Sequence, residues 1–283
     1  MLTINEVEKD WAAAIGTADI NERKNIADRW NAYYSYLAAN QADTAYAPDC
    51  GAESIVEFML REGIIKYGDK IIDIGSGSGR YSIEFAKHRT AVTALDASED
   101  SLELLKKHAW QAHVPEISCI PIHWEDFNTD SRDKKYDVSF SSMCPAICTL
   151  EELKRMERIT KRTACLISVS RGSYEKHRRE IMRLLDVKPR GMTTESIYYY
   201  NVLYLSGRSP NVKTWSVSGD YNISHEAFIE RYLIYLKLFD VSEQAAAPVL
   251  EKYFAENSQR GLLTEECRMN MAMIWWNVPC DEH

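Results

Sequence analysis

The chain has 283 residues, of which 45% are hydrophobic and 27% are charged. This balance is that of an ordinary globular protein, and it excludes collagen-like, disordered and disulfide-scaffold chains. The formal net charge of -8 at pH 7 argues against a general nucleic-acid or acidic-membrane binder, because phosphate contacts need a basic surface.

The first fifty residues or so are predicted to be helical. Apolar residues between positions 26 and 37 recur at three- and four-residue intervals, which is typical of an amphipathic helix. A turn is predicted at 48–51, and a further helix from about 54 to 62. We therefore expect an N-terminal helical cap over residues 1–55, followed by one large domain over 56–283.

From residue 70 the sequence alternates short apolar runs with helices, which is typical of a parallel α/β sheet. After residue 170 this alternation stops, and less regular elements follow. The elements predicted in the first part are strands at 70–74, 91–96, 118–123, 136–141 and 164–170 and helices at 80–87, 98–109 and 150–160. Those predicted in the second part are helices at 193–204 and 226–239 and strands at 212–218 and 269–276. The predicted fold class is α/β.

The most informative segment is 71–79, an apolar strand with an acid near its end, followed by a glycine-rich turn. Gly75, Gly77 and Gly79 allow a sharp turn and a close approach of the backbone to a ligand, and the next helix begins with free N–H groups. The following strand ends in Asp96, at the spacing of about 20 residues expected of a carboxylate that binds a ribose hydroxyl pair. This coupling favours a ligand site over a bare structural turn.

Two classes of ligand share these features. A dinucleotide oxidoreductase would carry G-x-G-x-x-G, but Arg80 and Ser82 occupy the last position in the two registers available. Asp73 would also repel a diphosphate, whereas it suits a ligand with a cationic amino-acid end. S-adenosylmethionine is such a ligand, and NAD(P) is the alternative.

At these residues the sequence resembles the class I S-adenosylmethionine-dependent methyltransferases, over roughly 68–170. The resemblance implies a Rossmann-like sheet with a helical cap and with a helical insertion at about 171–211 over the acceptor site. It also implies that an acid after the third strand borders the adenine, although His123 stands where some relatives have that acid. The cofactor-binding residues that it implies are Asp73, Gly75, Ser76, Gly77, Gly79, Asp96, Ala97, Trp124, Glu125, Asp126 and Ser141.

The fourth strand leads into Ser142-Met143-Cys144-Pro145, which in the family lies beside the transferable methyl group. Relatives that methylate nucleic-acid bases or glutamine commonly carry Asn/Asp-Pro-Pro-Tyr/Phe there, so the departure implies a small-molecule acceptor. The spacing of Cys144 and Cys148 favours packing over a metal or redox pair. The candidate acceptor-binding residues are Trp30, Tyr33, Tyr36, Met143, Cys144 and Tyr199, although these aromatic residues equally fit a core.

We therefore expect an enzyme that moves the methyl group of S-adenosylmethionine to a small-molecule acceptor by in-line displacement and releases S-adenosylhomocysteine. The alternatives are an RNA or protein methyltransferase, if the basic stretch at 171–190 forms one patch, an NAD(P)-dependent oxidoreductase, and a non-catalytic sensor of the methyl donor. No metal is assigned, because the histidines lack ligand spacing. A cytoplasmic location is expected, since the N-terminus is charged and no run of about 18 apolar residues occurs.

Overall fold

The computed structural model describes residues 3–15, 20–39, 51–130, 134–171, 174–187 and 195–279. Within these ranges lie ten α-helices and eight β-strands. The helices are α1 (Ile4–Ile15), α2 (Ile20–Ala39), α3 (Ala52–Arg61), α4 (Arg80–Lys87), α5 (Glu99–Gln111), α6 (Leu150–Arg158), α7 (Lys176–Leu184), α8 (Ser196–Leu205), α9 (His225–Lys237) and α10 (Glu243–Asn257). The strands are β1 (Lys70–Ile74), β2 (Ala91–Asp96), β3 (Ser118–Pro121), β4 (Tyr136–Ser142), β5 (Thr160–Val169), β6 (Tyr174–Glu175), β7 (Asn211–Ser224) and β8 (Leu262–Asn277).

All of the described strands belong to one sheet, whose first half is parallel. Strands β1 to β5 lie in the order β3-β2-β1-β4-β5, and β8 runs antiparallel beside β5. Ile71, Ile72 and Ile74 of β1 are fully buried, which is typical of a strand covered by helices on both faces. The predicted α/β, Rossmann-like fold class is confirmed. The carboxyl ends of the five parallel strands meet at one edge.

Two helical layers cover this sheet. On one face α3, α4 and α5 bury apolar side chains, and Phe85 of α4 meets Phe140 of β4 with ring centroids 5.0 Å apart. On the other face α1, α6 and α8 do the same, and Trp11 of α1 meets Tyr199 of α8 at 5.0 Å. We call β1–β5 and these two layers the sandwich. Burial of apolar surface is its main source of stability.

A third apolar cluster lies beyond the carboxyl edge of the parallel strands. The pairing of β5 with β8 ends at Val169 and Met271, so the first nine residues of β8 lie past that edge. Strand β7 pairs with this part of β8. Helices α2, α7, α9 and α10 pack on this extended ribbon through Phe228, Tyr235 and their neighbours. We call these four helices and the extended ribbon the accessory layer.

Several predicted elements differ from those observed. Strand β8 begins seven residues before its predicted start, β7 continues six residues past its predicted end, and α10 is not predicted at all. The predicted insertion at about 171–211 divides between two places, because α7 joins the accessory layer whereas α8 packs in the sandwich against α1 and α6.

The boundary expected at residue 55 falls inside α3, which packs on the sheet. Residues 48–50 of the predicted turn lie outside the described residues. No helix among the described ranges is long and apolar enough to cross a membrane.

Candidate functional site

The glycine turn joins β1 to α4 beside the end of β2. The amides of Gly75 and Ser76 donate to the carbonyl of Leu95 at 2.8 and 3.1 Å, which fixes the turn against β2. Gly75 and Gly79 have φ of 72° and 90°, values that L-residues rarely adopt. Helix α4 then begins at Arg80, so its first amides face the turn.

Two of these glycines are also required by close contacts. A Cβ atom at Gly75 would lie 2.6 Å from Sγ of Cys144, and one at Gly79 would lie 2.5 Å from Cγ of Leu105. Both distances are shorter than real contacts allow. The turn is therefore pressed against the loop after β4 on one side and against α5 on the other.

Asp96, at the end of β2, is a buried carboxylate that holds two backbone amides. Its Oδ2 accepts from the Gly77 amide at 2.8 Å and its Oδ1 accepts from the Ser98 amide at 2.9 Å. Burial raises the pKa of this carboxyl, and the two hydrogen bonds oppose that rise. Ala97 is half-buried next to it, and Ser98 caps α5 by accepting from the Ser101 amide at 3.2 Å.

Asp73 is a second buried carboxyl at the same end of the sheet. Its Oδ2 accepts from the hydroxyl of Ser82 at 2.6 Å. Burial raises the pKa of Asp73 to about 7, and the negative charge of Asp96 contributes to the rise. Two buried acids without a described cation between them create a site that a positively charged group would stabilise.

The turn after β3 contains the residues expected to border the adenine. Trp124, Glu125 and Asp126 form a short 3-10 helix. Both oxygens of Asp126 accept from Nζ of Lys24 on α2, at 2.7 and 2.8 Å, so this acid is held toward α2. Glu125 is half-buried, and its charge helps to raise the pKa of Cys144 in the loop after β4.

Two buried donors at this end of the sheet have no hydrogen-bond partner among the described residues. They are Oγ of Ser76, in the glycine turn, and Nε1 of Trp124, in the turn after β3. Buried polar atoms in native proteins are almost always paired. These two donors therefore mark where a polar ligand fits.

The loop after β4 closes the site. The hydroxyl of Ser141 donates to the Ile74 carbonyl at 3.0 Å, and Met143 has the unusual φ of 55° for a non-glycine residue. Burial raises the pKa of the Cys144 thiol to about 12, and the charges of Asp96 and Glu125 add to the rise. This thiol is therefore protonated at neutral pH.

The candidate acceptor-binding residues fall in three places. Met143 and Cys144 adjoin the glycine turn, whereas Trp30 and Tyr33 of α2 lie in the accessory layer, with their rings 6.3 and 5.6 Å from that of Tyr235. Tyr36 is half-buried on the same helix.

Tyr199 lies apart from this group, on α8. It is buried in the sandwich, and its hydroxyl donates to the Ile147 carbonyl at 2.5 Å. Its ring is thus buried and its hydroxyl is hydrogen-bonded, and its place in the acceptor pocket stays a prediction.

Ser82 and Lys24 contribute to this site but were not among the residues predicted from the sequence. Ser82 follows Asp73 by nine residues, and Lys24 precedes Asp126 by 102, so no local pattern connects them. A polar residue on the buried face of α4, between Tyr81 and Phe85, is the one signal that was available for Ser82.

The basic stretch forms ion pairs instead of an open patch in the part that is described. Lys176 pairs with Glu266 at 3.1 Å, Arg183 pairs with Glu180 at 2.6 Å, and Arg178 pairs with Glu175. Residues 188–190 lie outside the described ranges. In the part of the chain that the structure describes, no group of three or more His, Cys, Asp or Glu side chains is placed to hold a metal ion.

Comparison with known proteins agrees with this architecture. Residues 71–163 match the model of the family described as Methyltransferase domain. No curated protein sequence matches the chain. Among solved structures, a candidate methyltransferase of Bacillus halodurans is 12% identical, with 80% of this chain and 100% of that chain covered and a TM-score of 0.52.

Two further structures share the fold. Magnesium protoporphyrin IX methyltransferase from Synechocystis PCC 6803, solved with bound SAH, is 12% identical over 88% of this chain and 98% of its own, with a TM-score of 0.51. The YcgJ protein from Bacillus subtilis is 11% identical over 78% and 97%, with a TM-score of 0.50.

These findings agree with the resemblance predicted from the sequence. Residues 71–163 match a methyltransferase domain, and the solved structures of methyltransferases share the Rossmann-like fold of this chain.

Proposed function

We propose that the chain transfers the methyl group of S-adenosylmethionine to a small-molecule acceptor and releases S-adenosylhomocysteine. The observation that carries the proposal is the pair of buried carboxyl groups, Asp73 and Asp96, on either side of the glycine turn. A cationic ligand would stabilise both of them. A dinucleotide diphosphate would bring negative charge to the same place, so the oxidoreductase alternative is disfavoured.

The surrounding groups suit the rest of this cofactor. In our proposal the backbone of Gly75 and Gly77 and the hydroxyl of Ser76 face the amino-acid end, and Asp96 accepts from the ribose hydroxyls. Ala97 and Trp124 border the adenine, and Ser141 supports the turn from β4. Glu125 is the better candidate for the exocyclic amine, because Lys24 already holds Asp126. The SAH bound by the Synechocystis protein supports the choice of cofactor.

The acceptor is proposed to bind between the loop after β4 and the accessory layer. Met143 and Cys144 would lie beside the methyl group, and Trp30, Tyr33 and Tyr36 on α2 would contribute aromatic surface. The covering layer favours a small acceptor over a folded macromolecule. Methyl transfer from a sulfonium needs mainly proximity and in-line alignment, and the protonated Cys144 thiol does not act as an anionic nucleophile.

Calorimetric titration tests the cofactor assignment. We expect S-adenosylmethionine and S-adenosylhomocysteine to bind and NAD not to bind. Asp96→Ala should weaken the binding of S-adenosylmethionine and of S-adenosylhomocysteine by about a hundredfold or more, because two charge-assisted hydrogen bonds to the ribose are lost. Asp100→Ala is the matched control, because Asp100 is exposed in the first turn of α5. NAD binding with no S-adenosylmethionine binding would overturn the proposal.

Acceptor screening with isotopically labelled methyl donor tests the second half of the proposal. Label should appear in small-molecule fractions of a metabolite extract and not in RNA or protein from the same cells. Exclusive labelling of RNA or protein would replace the small-molecule acceptor with a macromolecular one.

A further inference from the structure

Arg155, on α6, makes four long-range hydrogen bonds to the turn that follows β3. Its Nη2 donates to the carbonyls of Trp124, Glu125 and Phe127 at 2.9, 3.3 and 2.8 Å. Its Nε donates to Oγ1 of Thr129 at 3.4 Å. One guanidinium thus binds a six-residue segment that lies about thirty positions earlier in the chain.

The guanidinium is itself fixed from two other directions. Its Nη1 pairs with Oε2 of Glu152 at 3.1 Å, and both side chains are almost fully buried. Its Cζ also lies 4.9 Å from the centroid of the Trp124 ring. A planar, permanently charged fork can satisfy a carboxylate, several carbonyls and an aromatic face at once, which the ammonium of lysine cannot do.

The turn that Arg155 binds has little regular structure of its own. Strand β3 has four residues, the 3-10 helix after it has three, and the N-cap residue His123 makes no side-chain hydrogen bond to that helix. Its conformation therefore depends on contacts from outside. The Trp124 ring that Arg155 covers carries a buried Nε1 without a hydrogen-bond partner among the described residues.

We propose that Arg155 is a positioning residue for the adenine end of the cofactor. It holds Trp124 and Glu125 in the orientation that receives the base and makes no contact with the cofactor itself. This inference rests on the proposed function, because it assumes that the turn borders the adenine. It predicts that Arg155 sets affinity and base selectivity and leaves the methyl-transfer step unchanged.

Arg155→Met and Arg155→Lys test the role, with Arg158→Met as the matched control. Arg158 lies one turn further along α6, is exposed and pairs with Glu151 at 2.7 Å. The probes are S-adenosylhomocysteine and its inosyl analogue, in which an oxo group replaces the exocyclic amine. Calorimetry gives both affinities, and steady-state kinetics gives KM for S-adenosylmethionine and kcat.

We expect Arg155→Met to weaken S-adenosylhomocysteine binding by at least about tenfold. The variant should also lose most of its preference for S-adenosylhomocysteine over the inosyl analogue. Its KM should rise by a similar factor, whereas kcat at saturating cofactor should stay within about twofold. Arg155→Lys should recover only part of the affinity, and Arg158→Met should match the parent chain. Folded Arg155 variants with parent affinity, or with equal losses for both probes, would overturn the proposal.

Hydrogen exchange of the unsubstituted chain provides a test that does not depend on how the variants fold. Adding S-adenosylhomocysteine should slow exchange in the segment 124–127. Binding of the ligand without this protection would overturn the proposal, whereas failure of the unsubstituted chain to bind it at all would refute the proposed function first.

Discussion

The sandwich and the accessory layer both combine an apolar core with buried charged groups, but they pair those groups differently. In the sandwich, buried acids outside the cofactor site pair with arginines, as Glu152 does with Arg155 and Glu157 does with Arg208. In the accessory layer, the buried set includes Arg231, Glu265 and His177, each at most 3% exposed. The two regions therefore differ in the partners of their buried charges, which are arginine side chains for these acids of the sandwich and tyrosine hydroxyls and backbone groups in the accessory layer.

In the accessory layer, Glu265, Tyr232, His177 and Tyr253 form a connected hydrogen-bond network. Glu265 accepts from the Tyr232 hydroxyl at 3.1 Å and from the His177 amide at 3.3 Å. The ring of His177 contacts Tyr253 at 2.8 Å, and Arg231 donates to the Tyr221 hydroxyl at 3.2 Å. Burial raises the pKa of Glu265. Because buried charges are costly unless they are paired, such a network favours one arrangement of its helices.

Helix α2 connects the two regions. Near its start, Lys24 pairs with Asp126 beside the adenine turn, and further along, Trp30 and Tyr33 pack on Tyr235 of the accessory layer. Since the cofactor site is built on the sandwich, whereas the proposed acceptor pocket also needs the accessory layer, the two regions should respond differently to substitution.

The largest effects are expected from removing one aromatic core residue in each region. Phe140→Ala in β4 and Phe228→Ala in α9 should each lower the free energy of unfolding by about 3–5 kcal/mol, because both rings are fully buried. Phe140→Ala should also weaken S-adenosylhomocysteine binding, whereas Phe228→Ala should change it by less than about threefold. Urea unfolding and calorimetry provide the two measurements. Equal losses of cofactor affinity in both variants would show that the two regions act as one unit.

The sandwich could be predicted from the sequence because the patterns that specify its strands and helices are local. Each parallel strand is a short apolar run, and the carboxyl ends of β1 and β2 bring Asp73 and Asp96 to the glycine turn in any parallel sheet with this order. The resemblance then supplied the class of cofactor. The positions of Gly75 and Asp96 therefore followed from residues within about 25 positions of each other.

The same reasoning missed much of the accessory layer for identifiable reasons. Residues 263, 265 and 267 of β8 are buried in alternation, but Glu265 occupies an inward position, so the apolar alternation expected of a strand is broken. Helix α10 contains Pro248, which reads as a helix breaker. Arg155 and Lys24 were missed because their partners are distant in the chain, and no local pattern records such a contact.

Glycine substitutions separate backbone strain from close contact in the glycine turn. Gly75 and Gly63 have nearly equal φ, 72° and 69°, but a Cβ meets Cys144 only at Gly75 and nothing within 4 Å at Gly63. Gly63→Ala should therefore lower the free energy of unfolding by about 1–2 kcal/mol through backbone strain. Gly75→Ala should lower it by roughly twice as much, because the added methyl group also meets Cys144, and it should abolish cofactor binding.

A double variant isolates the contact. Both Sγ and Cβ of Cys144 lie within 2.8 Å of the added methyl position, so Cys144→Gly in the Gly75→Ala background should recover much of the excess cost in a thermodynamic cycle. A coupling energy near zero would mean that the turn and the loop after β4 are not pressed together.

The buried carboxyl group of Asp73 predicts a pH dependence of both stability and cofactor binding. The pKa of Asp73 is raised to about 7, so the folded chain retains this proton more strongly than the unfolded chain does. Its contribution to stability therefore declines as pH rises from about 4 to about 7 and is constant above that. A cationic cofactor favours the carboxylate, so its binding should release a proton below pH 7.

Calorimetry between pH 5.5 and 7.5 measures this linkage. Affinity for S-adenosylmethionine should rise with pH, by up to about tenfold per unit, and Asp73→Asn should flatten that part of the profile. The same slope in Asp73→Asn would assign the titration to another group, such as Asp96, whose pKa is also raised by burial.

The smallest effect is expected at the ion pair that joins α2 to the adenine turn. Lys24 and Asp126 are partly exposed, with 26% and 52% of their side chains accessible, and pairs of this kind contribute little because water and salt screen them. Lys24→Met should therefore weaken S-adenosylhomocysteine binding by no more than about threefold at low salt, and the difference should disappear at high salt. Lys9→Met on α1, where the side chain is also exposed, is the control for loss of charge. A loss of tenfold or more that persists at high salt would contradict the division into two regions, because it would mean that α2 closes the cofactor site as an integral part of it.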